Sequence, residues 1–366
     1  MAIRPVVRFV ICAVAVLGGT LPAGAADPAA IRAAMERGAR YLKTSGQEAD
    51  GSFSPKAGPA VTALVVTALV EGGVPADDPA VARALAHLLT FRQPDGGIHT
   101  PGAPVANYET AIAMMALAAC NTGGRFDQEL SAAAAFLKAL QWDEGEGRGP
   151  DDPAYGGAGY GRQQRPDLSN TQFFIDALRA AGAAEDDPAI QRALKFVSRT
   201  QNLPGPHNDQ PFPAKNPDGG FYYTPAAGGE SQAGKMPDGG LRSYGSMTYA
   251  GLKSMIYAGV SRDDPRVKAA VAWLAKHYTF AENPGMGDSG LFYYLHTAAK
   301  SLDAFEVATF TDEAGAKHDW RDELSTAILA RQQENGAWTN TNARWMEGDP
   351  NLVTAYALLA LARCLP

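Results

Sequence analysis

The chain is expected to be all-α, an α/α toroid in which six helical hairpins build an inner and an outer ring of helices. Three observations predict it. A helix-start signal, Asp-Pro or a relative of it, recurs six times in the 366 residues. A glycine-bearing turn follows most of these starts, and the helix after each turn is apolar on nearly every side. One amphipathic and one almost wholly apolar helix per unit fit an outer helix facing water and an inner helix shielded from it.

The units follow in order. The first opens at Asp27-Pro28, where an N-cap carboxylate accepts orphan N–H groups and proline has none to orphan. Its turn is Asp50-Gly51-Ser52-Phe53 and its inner helix Val61 to Val70, closed by Gly72-Gly73. The second runs from Asp78-Pro79 through Asp95-Gly96-Gly97-Ile98 to an inner helix over Tyr108 to Ala119. The third begins at Asp127-Gln128, carries an insertion from Trp142 to Leu168, and ends in Thr171 to Ala181. The fourth begins at Asp187-Pro188 and has the longest insertion, Asn202 to Ser243, which contains Asp218-Gly219-Gly220-Phe221; its inner helix is Met247 to Ala258. The fifth begins at Asp264-Pro265 with Leu291 to Leu302 as inner helix. A third insertion, Glu306 to Asp319, precedes the sixth, which starts at Arg321-Asp322, turns at Asn335-Gly336-Ala337-Trp338 and ends in Leu352 to Ala362. Glycine in the turns supplies positive φ and stops the helix. Because each turn leads from outer to inner helix, all inner N-termini point to one mouth, whose dipoles favour anions. The first two insertions lengthen that mouth, and their Tyr155, Tyr160, Tyr222 and Tyr223 suit stacking on a sugar or covering an apolar ligand.

Residues 1–25 have Arg4 and Arg8, an apolar run from Phe9 to Leu17 and an Ala23-Gly24-Ala25 end, the order of a secretory signal peptide. The expectation is an exported toroid domain over residues 26–366, periplasmic or secreted, with no transmembrane segment after cleavage. The net charge of -7 becomes more negative once those arginines leave, which argues against a nucleic-acid partner. Of three cysteines, Cys120 and Cys364 remain, both near the ends of apolar runs and outside any metal or redox spacing.

Polar residues on helices that should be buried are the informative ones, because an unpaired buried polar group costs roughly 1–3 kcal/mol. Asp288, Phe292, His296 and Lys300 fall at intervals of four, with Tyr293 alongside, so a carboxylate, an imidazole and an ammonium are expected to share one face. Asp288 and His296 are the candidate catalytic pair; the competing reading is a core network. Arg242, Ser246, Tyr249 and Lys253 repeat the pattern, with Arg242 and Lys253 suited to a phosphate or carboxylate. Ser169 to Gln172 reads as a capping box with Asn170 facing the mouth, and Asn107, Tyr108 and Glu109 occupy the matching place in the second unit. Candidate ligand-binding residues are therefore Tyr108, Glu109, Asn170, Arg242, Tyr249, Lys253, Tyr293 and Lys300. No metal site or cofactor is expected; the Asp-Gly turns lack the oxygen spacing of calcium loops.

Gln333-Glu334-Asn335-Gly336-Ala337-Trp338 resembles the Q-x-x-G-x-W turn of the squalene-hopene cyclase and prenyltransferase β-subunit superfamily, with Gln93 to Ile98 a weaker copy. The helix Asp349 to Leu361 is similar to the inner helices of those proteins. The resemblance implies a terpenoid cyclase-like toroid and a transferase or cyclase acting on an isoprenoid. The Asp-rich D-x-D-D acid motif of the cyclases is absent, as are the zinc-binding D-x-C pair of the prenyltransferases and the C-G-E-Q motif of complement thioester domains, although Phe292 to Lys300 resembles the helix bearing the prenyltransferase zinc histidine. Three readings stand at this point: a protein that binds or transforms an isoprenoid-like apolar ligand, a carbohydrate-active lyase or hydrolase, and a non-catalytic scaffold for a protein partner.

Overall fold

A computed structural model describes residues 27–365; the signal segment expected over 1–25 lies outside the described residues. The outer helices are α1 (Pro28–Tyr41), α3 (Pro79–Leu89), α5 (Asp127–Lys138), α7 (Pro188–Arg199), α9 (Pro265–Lys276) and α11 (Trp320–Leu329). The inner helices are α2 (Pro59–Glu71), α4 (Ala106–Ala119), α6 (Leu168–Ala180), α8 (Gly245–Tyr257), α10 (Leu291–Ala304) and α12 (Pro350–Ala362). Each inner helix packs on the next, and α12 packs back on α2, so the inner ring is closed. Among the described residues no helix is long and apolar enough to cross a membrane.

The helix starts behave as their chemistry dictates. Asp27, Asp78, Asp187 and Asp264 each accept the backbone N–H two residues on, with proline at the first helical position. Two starts differ from expectation. Phe126 rather than Asp127 precedes α5, which has no side-chain cap, and α11 is capped by Asp319, two residues before the expected Arg321. The segment before α11 forms a small antiparallel hairpin, β1 (Phe310–Thr311) with β2 (Lys317–His318).

One interaction repeats in five of the six units and ties the turn to its inner helix. Threonine Oγ1 in the first turn of the inner helix accepts the N–H of the residue ending the turn: Thr62 from Phe53, Thr110 from Ile98, Thr171 from Ala158, Thr248 from Phe221 and Thr354 from Trp338, all at 2.9–3.1 Å. The corresponding place in α10 holds Tyr294, whose hydroxyl donates instead to the Thr279 carbonyl at 2.5 Å.

A second repeat joins neighbouring units. Gln47, Gln141, Gln201 and Gln332 each donate from Nε2 to a turn carbonyl and to a carbonyl of the next outer helix: Ala80, Ala189, Arg266 and Ala34. Gln332 therefore links the sixth unit to the first. It is not Gln333, the glutamine of the sequence motif, that makes this link; Gln333 binds Thr339.

Candidate functional site

The first turns of all six inner helices converge on a cavity of about 310 Å³. Eight rings line it: Tyr108, Tyr160, Phe173, Tyr223, Tyr244, Tyr293, Trp345 and Tyr356. Five pack in an unbroken series from the rim inwards, Tyr160 to Tyr108 to Phe173 to Tyr293 to Tyr356, with centroids 5.6–6.2 Å apart. The two mouth insertions supply Tyr160 and Tyr223 to this wall. Tyr155 and Tyr222 are instead buried within the insertions, bound to Glu144 and to the Arg199 carbonyl. Arg199, almost wholly buried, fixes the two insertions to each other by donating to the Pro150 and Asp152 carbonyls of one and to the Asp209 carboxylate of the other.

Electrostatically this mouth is the reverse of the anion site expected from helix dipoles. Its lining contains Glu109 and Glu347, while lysine, arginine and histidine are absent from it among the described residues. Glu347 accepts the Tyr293 N–H at 2.8 Å and Asn340 Nδ2 at 2.6 Å, so it caps α10, whose N-cap Gly290 has no side chain to do so. Glu109 accepts the N–H and hydroxyl of Thr100. Burial pushes both carboxyls above the usual range, against the hydrogen bonds that lower them. Behind them Asp167 caps α6 through the Asn170 N–H, and burial pushes it up to about 6. Built-in carboxylates already answer the dipoles an external anion would use.

The candidate residues separate into two groups. Tyr108, Glu109 and Tyr293 line the mouth cavity, and Asn170 stands just behind it, donating to Asp167 at 2.8 Å. Ser169 and Gln172 are not a capping box: α6 is capped by Asp167, and both side chains hold the Tyr293 hydroxyl, Ser169 at 2.9 Å. Lys253, His296 and Lys300 lie deeper, towards the inner C-termini, and Tyr249 is buried against Tyr294. Lys253 and Lys300 share one oxygen of Asp176 on α6, at 2.6 and 2.9 Å. Burial alone would raise the Asp176 carboxyl, but the two ammoniums hold it below its usual range.

Asp288 and Arg242 do not join their expected faces. Both are exposed and precede the helices, because α10 begins at Leu291 and α8 at Gly245. Gly287 and Gly290, at φ 57° and 66°, turn the chain before α10, so spacing by four carries no helical meaning at Asp288. The residues that sequence reasoning missed are Asp176, Phe173, Glu347 and Tyr356. A carboxylate in the apolar run Ile175-Asp176-Ala177 was the available signal for the first. The others meet only when the ring closes.

Residues 54–224 match the family described as squalene-hopene cyclase C-terminal domain. The chain is an α/α toroid, and within it residues 54–224 are similar to that family. No curated protein matches it significantly in sequence. Among solved structures, the toroid is similar to a family 76 glycoside hydrolase from a bovine Bacteroides thetaiotaomicron strain, with TM-score 0.56 and 10% identity over 90% of this chain and 77% of that one. It is also similar to a possible member of the GH105 family from Salmonella enterica subsp. enterica serovar Paratyphi A, with TM-score 0.54 and 10% identity over 94% of this chain and 96% of that one. The ent-copalyl diphosphate synthase from Streptomyces platensis is 18% identical over 84% of this chain and 50% of its own, with TM-score 0.47. Identities this low speak for the fold alone.

Proposed function

We propose that this exported toroid binds, and provides the environment to transform, a neutral isoprenoid-like ligand in the mouth cavity. The observation that carries the reading is the lining: eight rings and two buried carboxylates with no basic side chain among them, enclosing about 310 Å³, within the range of small-molecule pockets, roughly 300–1,000 Å³. Aromatic faces stabilise positive charge by about 0.5–2 kcal/mol per contact, so a cation developing on an apolar chain would be favoured here. A diphosphate would face carboxylates with no basic side chain in the lining; Arg344 and Arg165 lie against Trp345 and Tyr223 instead. The unbroken order of ring contacts from Tyr160 to Tyr356 lets an extended chain meet aromatic surface along its length.

The test is titration of purified protein with geranylgeraniol and with geranylgeranyl diphosphate, read by fluorescence of the rim residue Trp345, with Trp345→Phe as the signal control. The alcohol should bind, the diphosphate should bind more weakly, and Phe173→Ala should weaken alcohol binding at least about tenfold. Preference for the diphosphate, or binding of oligosaccharides with no response to the alcohol, sinks the proposal.

A further inference from the structure

A second cavity of about 270 Å³ lies at the opposite end of the inner ring, where the helices finish. One side is apolar, formed by Leu64, Met115 and Leu359 with small alanines between them. The other carries Glu71, His296, Lys300 and Arg363. A stacked pair links the two linings: His296 lies on Tyr356 with centroids 5.5 Å apart, and Tyr356 lines the mouth cavity while His296 lines this one.

Three properties of the polar side point the same way. First, its ion pairs do not balance. Lys253 and Lys300 converge on the single buried carboxylate of Asp176, two cations to one carboxylate, while Arg363, about a third exposed, pairs with Glu71 and Asp303. A buried charge without a countercharge is expensive. The surplus registers at Lys253, which burial, only partly offset by Asp176 and reinforced by Lys300, pushes down to about 8. Second, His296 is more than nine-tenths buried, and its Nδ1 has no hydrogen-bond partner. Burial first, then the neighbouring ammoniums, keep its imidazole neutral, so the ring borders the cavity without adding to its charge. Third, the Lys300 side chain keeps part of its surface open to the cavity although its ammonium is anchored to Asp176. Cations near helix C-termini answer the dipole, but that accounts for neither the orphaned ring nitrogen nor the apolar half of the chamber.

We infer that this second cavity binds a small amphipathic anion, its carboxylate or phosphate head against Lys300 and Arg363 beside His296 and its tail against Leu64, Met115 and Leu359. The inference goes beyond the reading of the mouth and does not depend on it.

Octanoate and octyl phosphate are the probes, with octanol and octyltrimethylammonium as tail-matched neutral and cationic controls, in calorimetric titrations of the whole protein. At least one anion should bind, and which one binds more tightly identifies the head group. Lys300→Met, which leaves Asp176 paired with Lys253, should weaken that binding at least about tenfold. In protein labelled with ¹³C at histidine Cε1, the resonance assigned by His296→Gln should move on titration. Geranylgeraniol binding at the mouth should be unchanged in Lys300→Met, which separates failure here from failure there. Should Lys300→Met not fold by circular dichroism, Arg363→Gln takes its place with the same expected loss. The inference is overturned if neither anion binds, if octanol or octyltrimethylammonium binds as well as the anions, if the variant that folds keeps full affinity, or if the His296 resonance stays still.

Discussion

Asp167, which caps α6, and Asp176, within that helix, are both buried, and their environments drive their carboxyls in opposite directions. Asp167 faces tyrosines and is pushed up to about 6, so the folded chain holds its proton more tightly than an unfolded chain does. Its contribution is complete below pH 4 and is lost as pH rises through 6, at about 1.4 kcal/mol per unit of displacement. Urea unfolding should therefore show wild type losing roughly 2–3 kcal/mol relative to Asp167→Asn between pH 4 and pH 7. Equal pH slopes in the two proteins would show that the carboxyl titrates normally. Asp176 is the countercharge for two ammoniums, and Asp176→Asn strands both in the core. A loss of about 3–5 kcal/mol is expected, with much of it recovered when Lys253→Met is added; denaturation of the single and double variants measures both. Lys253, His296 and Lys300 were legible in the sequence as polar residues in apolar runs. The carboxylate that pairs with the two lysines was not, because Asp176 reaches Lys253 from the neighbouring inner helix, 77 residues upstream.

At the scale of elements, Asp-Pro starts and glycine turns were readable because capping and positive φ are local chemistry. Inner-helix boundaries agree within a few residues for the same reason. The errors lie where local and tertiary signals compete. Phe126 displaced Asp127 as the residue before α5, and glycines truncated the faces drawn through Asp288 and Arg242. The turn glycines also have a tertiary role that spacing does not reveal. Gly336, at φ 91°, lies so close to α1 that a Cβ there would stand 2.6 Å from the Arg37 carbonyl oxygen. Gly336→Ala should cost at least about 2 kcal/mol, from the left-handed backbone together with the lost approach of the first unit to the sixth. By contrast Gly73→Ala, at φ 92° with open space around it, meets only the backbone term. A smaller shift in urea midpoint for Gly73→Ala than for Gly336→Ala is the expected order, and the reverse order would discount the inter-unit contact.

For the whole molecule, closure changes how a repeat protein comes apart. An open stack can fray from its ends, with stability that is roughly a sum over units and interfaces. Here α1 packs on α11 and α12, and Gln332 reaches the Ala34 carbonyl, so every unit has two neighbours. Unfolding should be a single transition. Cys120 in the second unit and Cys364 after the sixth are free, buried thiols that report on it without added labels. Both should become reactive to a thiol reagent at the urea concentration where Trp fluorescence changes. Exposure of either thiol well before that midpoint would mean that the ring opens piecewise.

The carboxylates at the mouth have a consequence for redesign. A ring of parallel helix N-termini has the geometry of an anion receptor, and adding a lysine would be the obvious way to recruit phosphorylated compounds. In this chain Glu347 and Asp167 already occupy the N-termini of α10 and α6, and Glu109 stands in the first turn of α4. An introduced lysine would be captured by these residents before it met any guest. Converting the ring to phosphate recognition thus requires subtraction first, and subtraction uncaps α10 and α6 or frees the Thr100 loop that Glu109 holds. Selectivity and architecture share the same three side chains, so the chemical preference of this aperture is harder to change than its size.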